Sequence, residues 1–170
     1  MDGKAQLNGD DFVYTGEVHS MVYHGKGKLE MFFEDHRNRQ KHVLWTYEGN
    51  FAQGAKHGRG TEVNNRGWTC EGEWVQDDFV LGKMLHSDGD VFEGSFRNYR
   101  PHGRCTYTRL DGQSQCGEWK HGQFESGDAC FRFPNGGKYV GKCVGELMHG
   151  WGTMFLPDGR IITVNPVSCL

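Results

Sequence analysis

The chain has 170 residues, 36% hydrophobic and 24% charged, with a formal net charge of −3 and a mean hydropathy of −0.71. That balance excludes a global attraction to nucleic acid or to an anionic membrane, and no apolar run approaches the ~18 residues that span a bilayer as a helix. Its 26 glycines, 4 prolines and 13% aromatic residues fit a chain of many strands and turns rather than a disordered one, and the length fits one domain.

Residues 3–12, GKAQLNGDDF, read as a strand and an Asn-Gly turn, so residues 1–13 are predicted to form an N-terminal half-hairpin. YTGEV at 14–18 and YHGKG at 23–27 open the first full unit. The segment FFEDHRNRQKHVLW, residues 32–45, then predicts lengthened strands and an arm tipped by EDHRNRQKH, with Arg37, Arg39 and Lys41 as its strongest cations. That tip is either a solvated loop or a docking arm for a partner. YEGNF (47–51) follows with KHGRG (56–60), then CEGEW (70–74), FEGSF (92–96) with PHGRC (101–105), QCGEW (115–119), and YVGKC (139–143) with MHGWG (148–152). RIITV at 160–164 supplies one more strand before Asn165-Pro166 ends it, which leaves 164–170 as a C-terminal tail.

The central glycines of these segments stand at 16, 49, 72, 94, 117 and 141. Successive intervals of 33, 23, 22, 23 and 24 define six units over residues 14–163, and the inserted arm accounts for the long first interval. In four units a histidine stands eight residues after the glycine, at 24, 57, 102 and 149. Units close on SDGD (87–90), LDGQ (110–113), PNGG (134–137) and PDGR (157–160). Asp-Gly and Asn-Gly favour two-residue turns with positive φ at both positions. Each unit therefore predicts a strand, a glycine-rich bend, a second strand and a tight turn.

This pattern resembles the MORN (membrane occupation and recognition nexus) repeat: Tyr-x-Gly-x-Trp/Phe, then His/Asn-Gly-x-Gly, then Asp-Gly. Departures are Cys70 and Gln115 in place of Tyr, Val18 and Cys143 in place of Trp or Phe, and Cys105 in place of the last Gly. The resemblance implies an all-β fold, an elongated single-layer antiparallel sheet of stacked β-hairpins, with no catalytic residues of its own.

Strand alternation places Tyr47, Phe51, Trp74, Phe92, Phe96, Trp119 and Tyr139 on one face and Glu17, Glu48, Glu71, Glu73, Glu93 and Glu118 on the other. An aromatic side and an acidic side are expected. The aromatic side is a candidate groove for a helical or extended segment of another protein, centred on Trp74 or Trp119. Alternatively, these rings only pack on one another. Either outermost strand offers an unpaired edge to another chain.

Catalytic, cofactor and metal sites are not expected. GKGK at 25–28 and GRG at 58–60 open onto β-like residues, which is not the helix a phosphate loop needs. The repeating histidines are separated by whole hairpins, about 10 Å apart at two strand spacings, too far for joint metal ligation. No serine stands in GxSxG. The six cysteines show no CxxC spacing, and reduced cytosolic thiols are expected, with Cys70, Cys105 and Cys143 as buried filler and Cys169 the most exposed. No leader or lipid anchor is expected from either end.

The function expected is that of a non-enzymatic protein interaction scaffold or adaptor, cytoplasmic and, by resemblance to small stand-alone MORN proteins, associated with the cytoskeleton or with a cilium or flagellum. Its partners are expected to be other proteins and not nucleic acid. A phospholipid-binding membrane-surface module is the alternative, disfavoured by the expected acidic face.

Overall fold

The computed structural model describes residues 2–145 and 147–165. Among them every regular element is a β-strand, in the all-β class that the repeats predict. The chain forms two compact units, residues 1–87 and 88–170. The first contains β1 (Asp2–Asn8), β2 (Phe12–His19), β3 (Val22–Glu34), β4 (Lys41–Ala52), β5 (Ala55–Asn64), β6 (Thr69–Val75) and β7 (Asp78–Leu85). The second contains β8 (Val91–Arg97), β9 (Arg100–Thr108), β10 (Ser114–Lys120), β11 (Gln123–Arg132), β12 (Lys138–Val144), β13 (Leu147–Phe155) and β14 (Ile161–Val164). Within each unit the strands lie antiparallel in chain order, every strand beside its sequence neighbour.

The Tyr-x-Gly signature is a packing device. Gly49 on β4 pairs with Gly60 on β5, and the Tyr47 ring lies over both. A Cβ on Gly60 would stand 2.2 Å from the Tyr47 hydroxyl oxygen, so no larger residue fits under the ring. Gly152 under Tyr139 repeats the arrangement, with a Cβ 2.4 Å from the ring. The hydroxyl of each tyrosine donates to a carbonyl three residues on: Tyr14 to Glu17 at 2.6 Å, Tyr47 to Asn50 and Tyr139 to Lys142 at 3.0 Å. Burial of a phenol is thus combined with a satisfied donor.

Neighbouring hairpins connect these rings edge to face. Tyr47 meets Phe51 at 5.1 Å and Trp74 at 5.2 Å; Trp119 meets Phe92 at 5.4 Å and Phe124 at 5.3 Å. Trp74 Nε1 donates to the Gly60 carbonyl at 3.1 Å and Trp119 Nε1 to that of Cys105 at 2.9 Å. One face of each unit is therefore its core.

The turns reverse the sequence expectation. Positive φ at both central residues occurs at Ser20-Met21, Gln53-Gly54, Gln76-Asp77, Asn98-Tyr99 and His121-Gly122, in the bends between the two strands of a unit. At the Asp-Gly and Asn-Gly sites only the glycine is positive: Gly89, Gly112, Gly136 and Gly159. The Asp or Asn side chain there accepts the amide two residues on, as Asp111 does from Gln113 at 3.0 Å and Asn135 from Gly137 at 3.0 Å. A right-handed turn closed by a left-handed glycine results, since an Asx bond holds the first residue at negative φ.

Candidate functional site

The seven residues expected to line an aromatic groove are placed in the core instead. Tyr47, Phe51, Trp74, Phe96, Trp119 and Tyr139 are all buried by their own chain, and Phe92 is half-buried against Tyr107 and Trp119. Ring-on-ring packing fills the space between these seven residues, and the recess on this face, about 450 Å³ between Tyr107 and Phe131, lies where Gln115 takes the place of the repeat tyrosine. Burial raises Tyr47 to about 12, with Asp77 and Glu62 adding to the effect.

One core position in the first unit is not apolar. Residues 23, 79, 101, 124 and 148 are Tyr, Phe, Pro, Phe and Met, but the equivalent position in the second repeat holds Lys56. Its side chain is buried, bonds the Glu62 carboxylate, and lies 4.2 Å from the Trp45 ring centre and 4.7 Å from that of Trp74. Cation–π contacts and a paired carboxylate are what let a buried ammonium persist. The sequence gives no sign of this cage, because Lys56 stands at a variable position just before His57.

The opposite face is where the side chains are accessible, and it is not uniformly acidic. Cross-strand register sets a cation against five of the six glutamates: Lys4 opposes Glu17, Lys28 opposes Glu48, Arg59 opposes Glu73, Lys83 opposes Glu71 and Arg104 opposes Glu118. Glu93 opposes Thr106. The second strand of each hairpin supplies these cations, which a count along the first strands misses. In the first unit this face holds a shallow recess of about 880 Å³ whose charged rim is Lys4, Lys26, Lys28, Arg59, Glu17 and Glu48.

In the last three strands the same face carries exposed apolar side chains beside Lys138, Lys142, Thr153 and Thr163. Val140 occupies the position that is Glu48 or Glu71 in earlier repeats, and Val144, Leu147, Trp151, Phe155 and Ile161 are exposed around it. Trp151 is 68% exposed, more than any other Phe, Tyr or Trp among the described residues. Lys138 lies over Phe155 at 5.6 Å, and Lys142 pairs with Asp128 at 2.9 Å. Trp151 escapes a reading from the repeat because it occupies the variable slot of His-Gly-x-Gly.

The inserted arm is an extension of β3 and β4, with Phe33 opposite His42 and Glu34 opposite Lys41. Of its three expected cations, Lys41 bonds the Asp10 carbonyl and Arg39 pairs with Glu34 at 3.3 Å. Arg37 is exposed, with only its backbone amide bonded, to Asp35. The Phe32 amide donates to the Asp11 carbonyl at 2.8 Å, so the base of the arm is tied to the β1–β2 turn. Phe33, Val43 and Leu44 are exposed along it.

The thiols are turned away from nucleophilic chemistry. Burial pushes Cys70 up to about 12 and Cys105 and Cys143 up to about 11, leaving them protonated fillers. Cys116 and Cys130 are half-buried, and Cys169 lies outside the described residues. His24, His57 and His149 are exposed. His102 has a buried, unbonded Nδ1 and its ring centre stands 5.2 Å from that of His121. Among the described residues no three His, Cys, Asp or Glu side chains are arranged to hold a metal ion.

The family model of the MORN repeat matches residues 47–69 and 92–114. This chain carries MORN repeats. The matched segments are the β4–β5 and β8–β9 hairpins, each with the turn that follows it; the hairpins around Gly16, Gly72, Gly117 and Gly141 lie outside them and use the same antiparallel pairing. No curated protein matches the chain. Among solved structures a streptogramin B lyase structure aligns at 12% identity over 93% of this chain and 46% of that one, with a TM-score of 0.19. The chain thus spans about half of that protein's length, and at this TM-score the likeness carries no argument. MORN repeats are generally modules of protein or membrane interaction, which is the coarse function that the two matched segments carry.

Proposed function

We propose that the chain is a non-enzymatic scaffold that binds other proteins, with the outward face of β12–β14 as its main contact and the β3–β4 arm as a second. The observation that carries this reading is Trp151, an indole 68% exposed on β13 between the exposed Val144–Leu147 pair at one end of the strand and the exposed Phe155–Ile161 pair at the other. Large amphipathic rings surrounded by aliphatic side chains are the usual energetic centres of protein interfaces. The cations Lys138 and Lys142 at the margin favour a partner segment that is apolar with acidic flanks. Raised thiol pKa values support the non-enzymatic part. A cytoplasmic place on the cytoskeleton or in a ciliary or flagellar assembly belongs to the same proposal and rests on resemblance to small stand-alone MORN proteins.

The second reading is a phospholipid-binding surface. It is favoured by the arm, where exposed Phe33 stands near the Arg37 and Arg39 tip, an apolar anchor beside cations. Flotation of the intact protein with phosphoinositide-containing vesicles separates the two. The scaffold reading expects the protein to stay at the bottom of the gradient while the same preparation captures a discrete protein partner from cell extract. Salt-sensitive flotation without such capture overturns it in favour of the membrane surface.

A further inference from the structure

We propose that β14 is a self-pairing edge, through which two copies of the chain join antiparallel about a two-fold axis at Ile162. In the second unit β14 pairs with β13 on one side only, and no described residue pairs with its other side. Its four residues, Ile161, Ile162, Thr163 and Val164, are β-branched and uncharged. Stacked repeats normally end in a polar outer surface, and exposed edges are normally blunted by charge, proline or a bulge. The first strand follows that rule: β1 carries Asp2, Lys4, Gln6 and Asn8. β14 does not. Ile162, on the ring-bearing side beside Met154, is 42% exposed.

The backbone of β14 is set for pairing with itself. The Leu156 amide donates to the Arg160 carbonyl at 2.8 Å, closing the turn before β14. Alternation along the ladder then makes Met154–Ile162 and Gly152–Val164 the hydrogen-bonded pairs, so Ile161 and Thr163 turn their amides and carbonyls to the free edge. A two-fold axis normal to the sheet preserves which face is which, and so must pair residues of equal parity. The axis at Ile162 meets this condition. It sets Ile162 against Ile162 of the second copy, burying the exposed side chain, and joins each Ile161 to the opposite Thr163 by an exchanged pair of hydrogen bonds.

The occupant is a second copy because the edge is its own complement in both backbone groups and side chains. The pairing also sets two Trp151 faces side by side on one continuous surface. It does not depend on the scaffold reading, since the edge pairs whether or not that face binds a partner. A strand of four residues buries less than a standard interface, so the dimer is expected to be weak.

Sedimentation equilibrium of the full chain, from about 5 to about 500 µM to suit such a short edge, tests the proposal. The expected result is a concentration-dependent rise from 19.3 kDa toward twice that mass. Thr163→Pro removes only a donor that faces the free edge, and should weaken association by at least about tenfold without lowering the melting temperature. Ile162→Lys, which opposes two ammonium groups across the axis, should do the same with no change to the backbone. A monomer over the whole range, or a dimer that both variants leave unchanged, overturns it. Partner capture by the monomeric variants shows separately whether the scaffold reading stands.

Discussion

In residues 1–87 the face opposite the rings is a ladder of opposed charges, Lys4 with Glu17, Lys28 with Glu48, and Lys83 with Glu71; over β12–β14 that face adds exposed Val140, Trp151, Phe155 and Ile161 to Lys138 and Lys142. Both regions are built on the same hairpin, with a tyrosine lying over paired glycines and its hydroxyl tied to the backbone. The repeat therefore dictates one face and leaves the other free. Exposed ion pairs such as Arg59–Glu73 at 2.9 Å add little stability, and they keep the first unit's outward surface hydrated. Exposed apolar side chains over the last hairpins cost solubility and add little to folding, which is why the proposed interaction surface is placed there.

Two tryptophans break the comparison most sharply. Trp74 is buried among Tyr47, Phe79 and Lys56, so Trp74→Ala should cost about 3–5 kcal/mol in stability by denaturant unfolding. Trp151→Ala should change it by no more than about 0.5 kcal/mol. Equal losses would mean that the outward face of β13 is also a core.

Next in size is the buried charge of the first unit. Glu62→Ala leaves the Lys56 ammonium without its carboxylate and should cost about 3 kcal/mol or more. The double change Lys56→Met with Glu62→Leu restores the apolar residue found at the equivalent position of other repeats. It should match or exceed the original stability by about 1 kcal/mol, as replaced buried ion pairs often do. A double variant as unstable as Glu62→Ala would show that the cage is required for packing.

Alkaline pH acts on both units. Cys70, Cys105 and Cys143 rise from an ordinary 9 to about 12, 11 and 11, and Tyr47 and Tyr107 from 10 to about 12, mainly through burial. The unfolded chain loses these protons from about pH 9 upward while the folded chain keeps them. Stability is thus complete below that pH and falls as pH rises from 9 to 12. Melting temperatures at successive pH values check this, and a flat profile across that range would contradict the burial of these groups.

The smallest effect is expected at the bend of the first unit. Met21 sits at φ 63 with its side chain 57% exposed, a left-handed conformation that a residue with a Cβ adopts at a cost. Met21→Gly should raise stability by roughly 0.5–1 kcal/mol, seen as a higher denaturant midpoint with an unchanged slope.

Much of the fold could be read in the sequence because glycine spacing and strand alternation are local. The phase that puts Tyr47, Gly49 and Phe51 on one face is the phase observed. Two things were not local. Turn type depends on side-chain hydrogen bonds such as Asp111 to the Gln113 amide, so Asp-Gly marked a turn but named the wrong kind. Accessibility depends on what neighbouring hairpins cover: the aromatics that stood out in the pattern were consumed by their neighbours. Trp151, in a variable slot between two glycines, was left outside. Cross-strand register decided the charge of the outward face as well, since Lys28 and Lys83 belong to strands that the glutamate count ignored.

The central claim is that the outward face of the last hairpins, not the ring-bearing face, meets the partner. Partner capture from cell extract by the intact chain, by Trp151→Glu and by Val140→Glu, with melting temperatures recorded for each, tests it most directly. Val140→Glu gives β12 the charge found in earlier repeats. Both variants should melt within a few degrees of the original and lose capture of the same discrete partner by tenfold or more, as loss of an interface centre does. Undiminished capture by two stably folded variants would contradict the account.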